Sequence, residues 1–195
     1  MASILLHTCC APCTIYPLQR LRSDHWDVYG FFYNPHIQPY QEFQRRLETL
    51  EQFAAAQELR VIVRQDYDLE EFLREVAFRE SQRCLYCYAK RLQAAARTAK
   101  KSRFDAFTTT LLYSKLQKHD LIREIAREAA RKYGIPFYEE DFRTGWKRGQ
   151  EEAKRLGLYR QQYCGCIYSE NERFNKGPRS SNAVRRTGYC KENEL

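Results

Sequence analysis

A chain of 195 residues with a hydrophobic fraction of 43% suffices for one compact domain with a buried core. Its opening stretch, MASILLHTCC, is too short and polar for a secretory apolar region, and no apolar run approaches the roughly 20 residues of a membrane span, which sets the expectation of a soluble, cytoplasmic protein with no membrane partner. A formal net charge of +8 favours a polyanionic partner, nucleic acid foremost.

Ser3–His7 reads as a short buried strand, and residues 14–22 as a helix entered through Pro12, since proline is tolerated in a first turn. Asp27–Tyr33 is a second, aromatic-rich strand, followed by a turn at 34–39 whose two prolines exclude regular helix. Residues 41–59 form a long amphipathic helix and 60–64 a strand with the β-branched run VIV. Helices are expected at 69–78 and 81–101, a threonine-rich strand at 104–112 and a helix at 120–133 that stops at Gly134 and Pro136. A last strand at 137–141, a helix at 144–155 and an irregular stretch at 159–169 complete the pattern. From residue 175 the chain is polar and basic. Alternating strands and helices predict an α/β fold, a mostly parallel open sheet flanked by helices and Rossmann-like, as one catalytic domain over 1–174 with a basic tail over 175–195. In such sheets the site lies beyond the carboxyl ends of the strands. Loops 7–13, 34–39, 114–117 and 141–143 are therefore expected to assemble it.

Eight cysteines in an intracellular chain call for chemistry other than structural disulfides. Cys9 and Cys10 are adjacent, so they reach one centre only where the chain turns, and Ala11-Pro12 favours such a turn. The helix N-terminus that follows suits an anionic group. Cys84 and Cys87, spaced i, i+3 on a helix, present both sulfurs on one face, and the two pairs supply four thiolates. Tetrahedral zinc and a [4Fe–4S] cluster both remain open, with the cysteine doublet favouring iron. Cys164-Gly165-Cys166 is a different pair, whose glycine permits a small strained disulfide of the labile, redox-active kind. Cys13 reads equally as an extra ligand and as a core thiol, and Cys190 takes no role. His7, His36, Asp141 and Tyr163 are candidate proton donors. Basic residues between 88 and 103, among them Lys90, Arg91, Lys100, Lys101 and Arg103, and those of the tail, form two candidate RNA footprints.

The segments LLHTCCAPC, FFYNPHIQPYQEFQRRL, CLYCYAKRL, FTTTLLYS and DFRTGWKRGQEEAKRLGLYRQQYCGC together resemble the epoxyqueuosine reductase QueH family over residues 4–169. The resemblance implies reduction of epoxyqueuosine to queuosine at the wobble position of tRNAs with a GUN anticodon, without cobalamin. It implies a [4Fe–4S] cluster on Cys9, Cys10, Cys84 and Cys87, a redox-active disulfide between Cys164 and Cys166, and an additional iron near which Cys13 stands. Lys90, Arg91 and Tyr163 are then expected to bind the RNA substrate, an electron donor is needed, and a monomer is expected. Two departures from the family pattern stand out. His36 falls two positions earlier than the histidine of the usual NPNIHP run, and Ser114-Lys115-Leu116-Gln117 replaces Ser-Pro-Tyr-Gln. Two other readings compete: a zinc-containing tRNA-binding module, and a tRNA sulfur-transfer enzyme. The second lacks the expected SGGxDS-type loop after the first strand.

Overall fold

The structure, a computed structural model, describes residues 1–175, so the expected tail beyond Asn175, with Cys190, lies outside the described residues. Four strands, β1 (Ser3–His7), β2 (Asp27–Tyr33), β3 (Val61–Arg64) and β4 (Ala106–Thr109), form one sheet in the order β3-β2-β1-β4. Every pairing is parallel. The described helices are α1 (Ala11–Ser23), α2 (Tyr40–Ala56), α3 (Leu69–Val76), α4 (Arg83–Lys101), α5 (His119–Tyr133), α6 (Trp146–Arg155) and α7 (Ile167–Phe174). No helix among the described residues is long and apolar enough to cross a membrane.

The continuous apolar run of β1 follows from burial on both faces. Ile4 and Leu6 join Val28 and Phe32 in a core shared with α1 and α2, whereas Leu5 joins Phe31 and Phe107 in a second core. Ala94, Ala95, Ala96 and Ala99 of α4 and Ala129 of α5 complete that second core. Helix α5 ends where Gly134 adopts φ +61°, the left-handed conformation that glycine enters without steric cost.

Three expectations are corrected in detail. The last strand is reduced to a single parallel bridge between Phe107 and Phe137. Beyond it the side chains turn to helices instead of continuing a ladder: Tyr138 donates to Asp24, Glu139 pairs with Arg127 and Glu140 with Arg20. The threonine-rich strand stops at Thr109, whose hydroxyl accepts from Leu111 N at 3.1 Å and starts a 3-10 turn over Thr110–Leu112. Finally, the segment read as irregular closes with helix α7.

The strand order fixes where a site can form. The chain winds from β1 through β2 to β3 on one side and returns to place β4 on the other. The winding reverses between β1 and β4, and a crevice opens beyond their carboxyl ends at that switch.

Candidate functional site: a thiol cavity at the β1–β4 switch

Cys9, Cys10 and Cys13 sit in this crevice, on the turn after β1 and in the first turn of α1. Cys10 is the extended residue that precedes the helix, with φ −175° and ψ 164°. This break between strand and helix lets adjacent thiols converge, with Cys9 Sγ and Cys10 Sγ 3.8 Å apart. All three sulfurs lie within 4.8 Å of one another, and all three residues are buried. The Thr110 hydroxyl accepts from Cys9 N at 3.1 Å and donates to Cys9 Sγ at 3.3 Å, tying the turn to the end of β4. From the far side Gln161 Nε2 reaches Cys10 Sγ at 2.8 Å and Cys13 Sγ at 3.5 Å. Hydrogen bonds from Cys10 and Cys13 hold the Cys9 thiol well below its usual range. Cys10 moves up chiefly through burial, and Cys13 chiefly through its bond with Cys10. One thiolate therefore forms readily in this trio, and two more require a cation among them.

The trio opens onto a cavity of about 170 Å³ whose lining includes Cys9, Cys13, Arg91, Gln117, Trp146, Tyr163 and Cys164. Loop 7–13, loop 114–117 and the Tyr163–Cys164 stretch meet there. The expected contribution of 141–143 is absent, because Asp141 is exposed and paired with Arg143 on the surface. Loop 34–39 instead supports the Cys164-Gly165-Cys166 segment from beneath. Gln38 N donates to Gly165 O at 2.8 Å, Ile167 N donates to Gln38 Oε1 at 3.2 Å, and Tyr163 Oη donates to Gln38 O at 2.7 Å. A Cβ at Gly165 would stand 3.1 Å from Ile37 Cγ1, a tight contact at a backbone φ of +157° that side-chain-bearing residues rarely adopt.

A group that the sequence reading did not single out holds this segment. Arg46, in α2, is 1% exposed, and its guanidinium donates to Cys164 O at 2.7 Å and to Tyr163 O at 3.1 Å. Its Nε bonds Glu42 Oε1 at 2.7 Å, and Tyr159 Oη closes on Glu42 Oε2 at 2.5 Å. The signal was present: with Phe43, Leu47 and Leu50, position 46 falls on the apolar face of an amphipathic helix, where a charge implies a buried partner. Cys164 and Cys166 are both free thiols. Cys164 is an exposed residue, yet its sulfur is closely surrounded, accepts from Gln117 Nε2 at 3.2 Å, and is shifted up by desolvation.

Cys84 and Cys87 begin α4, and neither joins the buried trio within 4.8 Å. Burial pushes Cys87 up to about 12, against the pull of Arg91 and with the added repulsion of Cys164 and Cys166. Cys87 thus stands in electrostatic range of the second cysteine pair. One turn further on, Arg91 is 2% exposed, while Lys90 faces outward and pairs with Glu71 at 2.5 Å. His7 and His36 are held neutral by burial. His7 is lowered to about 4 by burial and then by Arg91, with ring nitrogens on Thr109 Oγ1 and Tyr33 O. His36 is lowered to about 3 by burial, then by Arg91 and Lys90. Burial raises Tyr163 to about 12.

Fold and site together define a parallel α/β protein built around a buried thiol centre at its switch point. The family profile described as Epoxyqueuosine reductase QueH matches residues 4–172, and the chain belongs to that family. The proteins called epoxyqueuosine reductase QueH in Dehalococcoides mccartyi and Thermotoga maritima are 36% and 35% identical to it. Those alignments cover 89% and 90% of this chain and 95% and 94% of the relatives. A solved structure from Methanocaldococcus jannaschii, titled a predicted subunit of tRNA methyltransferase, superposes with a TM-score of 0.53 at 10% identity, covering 79% of this chain and 75% of that one. That likeness concerns the fold.

Proposed function

We propose that this chain reduces epoxyqueuosine to queuosine at the wobble position of tRNA, with Cys164 and Cys166 as a two-electron dithiol beside a thiolate-held metal centre. The observation that carries this reading is the convergence of Cys9, Cys13 and Cys164 on one cavity. In the reaction both epoxide C–O bonds break, a C=C bond forms, two electrons and two protons are taken up, and the oxygen leaves as water. A dithiol that closes to a disulfide releases two electrons and two protons, which matches this demand. An external electron donor then reopens the disulfide.

The buried trio fits a metal on its donor chemistry, since three thiols so close together ionise jointly only around a cation. Cys9 and Cys10 with Cys84 and Cys87 would hold a [4Fe–4S] cluster, and Cys13 an additional iron. When bound, such a centre supplies one-electron transfer and a Lewis-acidic iron. The protein does the rest. Gln161 and Thr110 orient the sulfurs, and Pro12, Leu111 and Trp146 give the cavity apolar walls that limit water. Tyr163, whose hydroxyl is bound to Gln38 O, offers its ring to the base, and Lys90 offers a contact to the RNA backbone.

Anaerobic incubation of the purified protein with epoxyqueuosine-containing tRNA and a strong reductant, followed by nucleoside mass spectrometry, tests the reading. Queuosine is the expected product. Its absence from a preparation with a full complement of iron rejects the assignment. Cys164→Ser and Cys166→Ser are each expected to abolish multiple turnover while leaving iron content unchanged.

A further inference from the structure

Arg91 is one of the two largest fully buried side chains in the protein, and the other, Arg46, has a carboxylate partner in Glu42. Arg91 has none: among the described residues no ion pair and no hydrogen bond engages its guanidinium, and its buried Nε is unsatisfied. A buried, unpaired cation is costly, and persists where an anionic group arrives to meet it.

Its surroundings say what kind of group. Arg91 lines the cavity together with Cys9 and Cys164, and the thiolate forms of Cys87, Cys164 and Cys9 favour its protonated form against the cost of burial. Four of the other donors at the cavity already have acceptors. Gln161 serves Cys10 and Cys13, Gln117 serves Cys164, Thr110 serves Cys9 and Tyr163 serves Gln38 O. Nearby, His7 is neutral and bonded through both nitrogens. Thiols aside, Arg91 is, among the described residues, the fully buried polar side chain lining the cavity that still has hydrogens to give.

We infer that Arg91 is a catalytic residue whose guanidinium binds the epoxide oxygen of the substrate and stabilises the negative charge that develops there as the C–O bonds break. The inference rests on the proposed reduction of an epoxide. In that reaction the oxygen gains electron density before it is protonated, and a preorganised cation in a dry cavity is suited to hold it. The two protons that complete water come from the Cys164–Cys166 dithiol as it is oxidised, so Arg91 stays protonated throughout. A planar fork also meets the oxygen with two hydrogen bonds, which a lysine ammonium at the same depth does not reproduce.

The test uses the iron-loaded protein and epoxyqueuosine-containing tRNA. Arg91→Gln and Arg91→Ala are expected to lower kcat by about 100-fold to 1,000-fold, the range for loss of one oxyanion donor, with iron content and tRNA affinity within about twofold of the parent. Arg91→Lys, which keeps the buried charge and guards against misfolding, is expected to fall between them and the parent. Added guanidinium ion at millimolar concentration is expected to restore part of kcat in Arg91→Ala and none in the parent. Retention of kcat within threefold in all variants overturns the inference. So does loss of iron or tRNA binding in proportion to activity, because Arg91 would then hold the metal centre or the RNA. If the unaltered protein makes no queuosine, it is the underlying reading that fails.

Discussion

At the scale of single residues, His36 shows how deeply the loop after β2 is embedded. It is fully buried, stacked between Phe72 at 4.8 Å and Tyr86 at 5.2 Å, and neither ring nitrogen has a partner. Burial, Arg91 and Lys90 disfavour its charged form, and only Glu71 works the other way. The imidazole titrates near 6.5 when unfolded and at about 3 in the fold, so the unfolded chain binds more protons between those values. Stability is therefore complete above pH 6.5 and declines as the pH falls toward 3. By pH 5 this one group costs about 2 kcal/mol. His36→Phe keeps the stack and removes the titration. It is expected to match the parent at pH 7.5 and to exceed it by about 2 kcal/mol at pH 5, as read from urea unfolding at the two pH values. Equal losses on acidification in both proteins would refute this account. The histidine's position in the sequence invited a proton-donor role, but burial between two aromatics disfavours the imidazolium that would serve as a strong acid at neutral pH.

At the scale of elements, the alternation of strands and helices was legible because β1 and β2 carry apolar runs fit for burial on both faces, and α2 carries a clear amphipathic stripe. The fifth strand was not, because Phe137 and Tyr138 have strand-like chemistry while their neighbours Glu139 and Glu140 are drawn to Arg127 and Arg20. The cysteine turn was legible from spacing. The contacts of Arg46, Gln117 and Gln161 were not, since they join residues more than 45 positions apart. The Glu42–Arg46 pair makes that long-range link measurable. Arg46→Gln strips a buried carboxylate of its cation and is expected to cost about 3–5 kcal/mol. Glu42→Gln with Arg46→Gln together is expected to cost clearly less than the sum of the two single changes, because the double variant leaves no unpaired charge. Strict additivity in a denaturant-based double-mutant cycle would mean the two do not act as one unit. Gly149 in α6 tests packing against the same crevice. A Cβ there would meet Tyr113 Oη at 2.3 Å, so Gly149→Ala is expected to cost about 1–3 kcal/mol through overpacking, despite alanine's better helix propensity.

At the scale of the whole molecule, charge is distributed differently from what the linear sequence suggests. Read in sequence, the basic run of α4 begins at Cys84 and so lies beside the thiol centre. In space the helix spans 19 residues, about 28 Å at 1.5 Å per residue. Lys100, Lys101 and Arg103 therefore lie at the far end, where Asp105 N donates to Ser3 O at the amino ends of the strands. Lys100 is further engaged there with Gly134 O at 2.9 Å. The cations near the mouth of the cavity are others: exposed Arg160 among its lining, and exposed Lys115 and Lys118 beside the lining residues Leu116 and Gln117. An anticodon loop that delivers its base to the cavity must pass these three. Lys115→Glu, Lys118→Glu and Arg160→Glu in combination are expected to weaken tRNA binding and to flatten the dependence of log Kd on log salt by about 2, at roughly 0.7 for each phosphate that is no longer neutralised. The matching triple reversal at Lys100, Lys101 and Arg103 is expected to change the slope by less than half as much. Fluorescence anisotropy of labelled tRNA between low and physiological salt separates the two. A larger effect from the far-end triple would place the RNA along α4 rather than across the mouth.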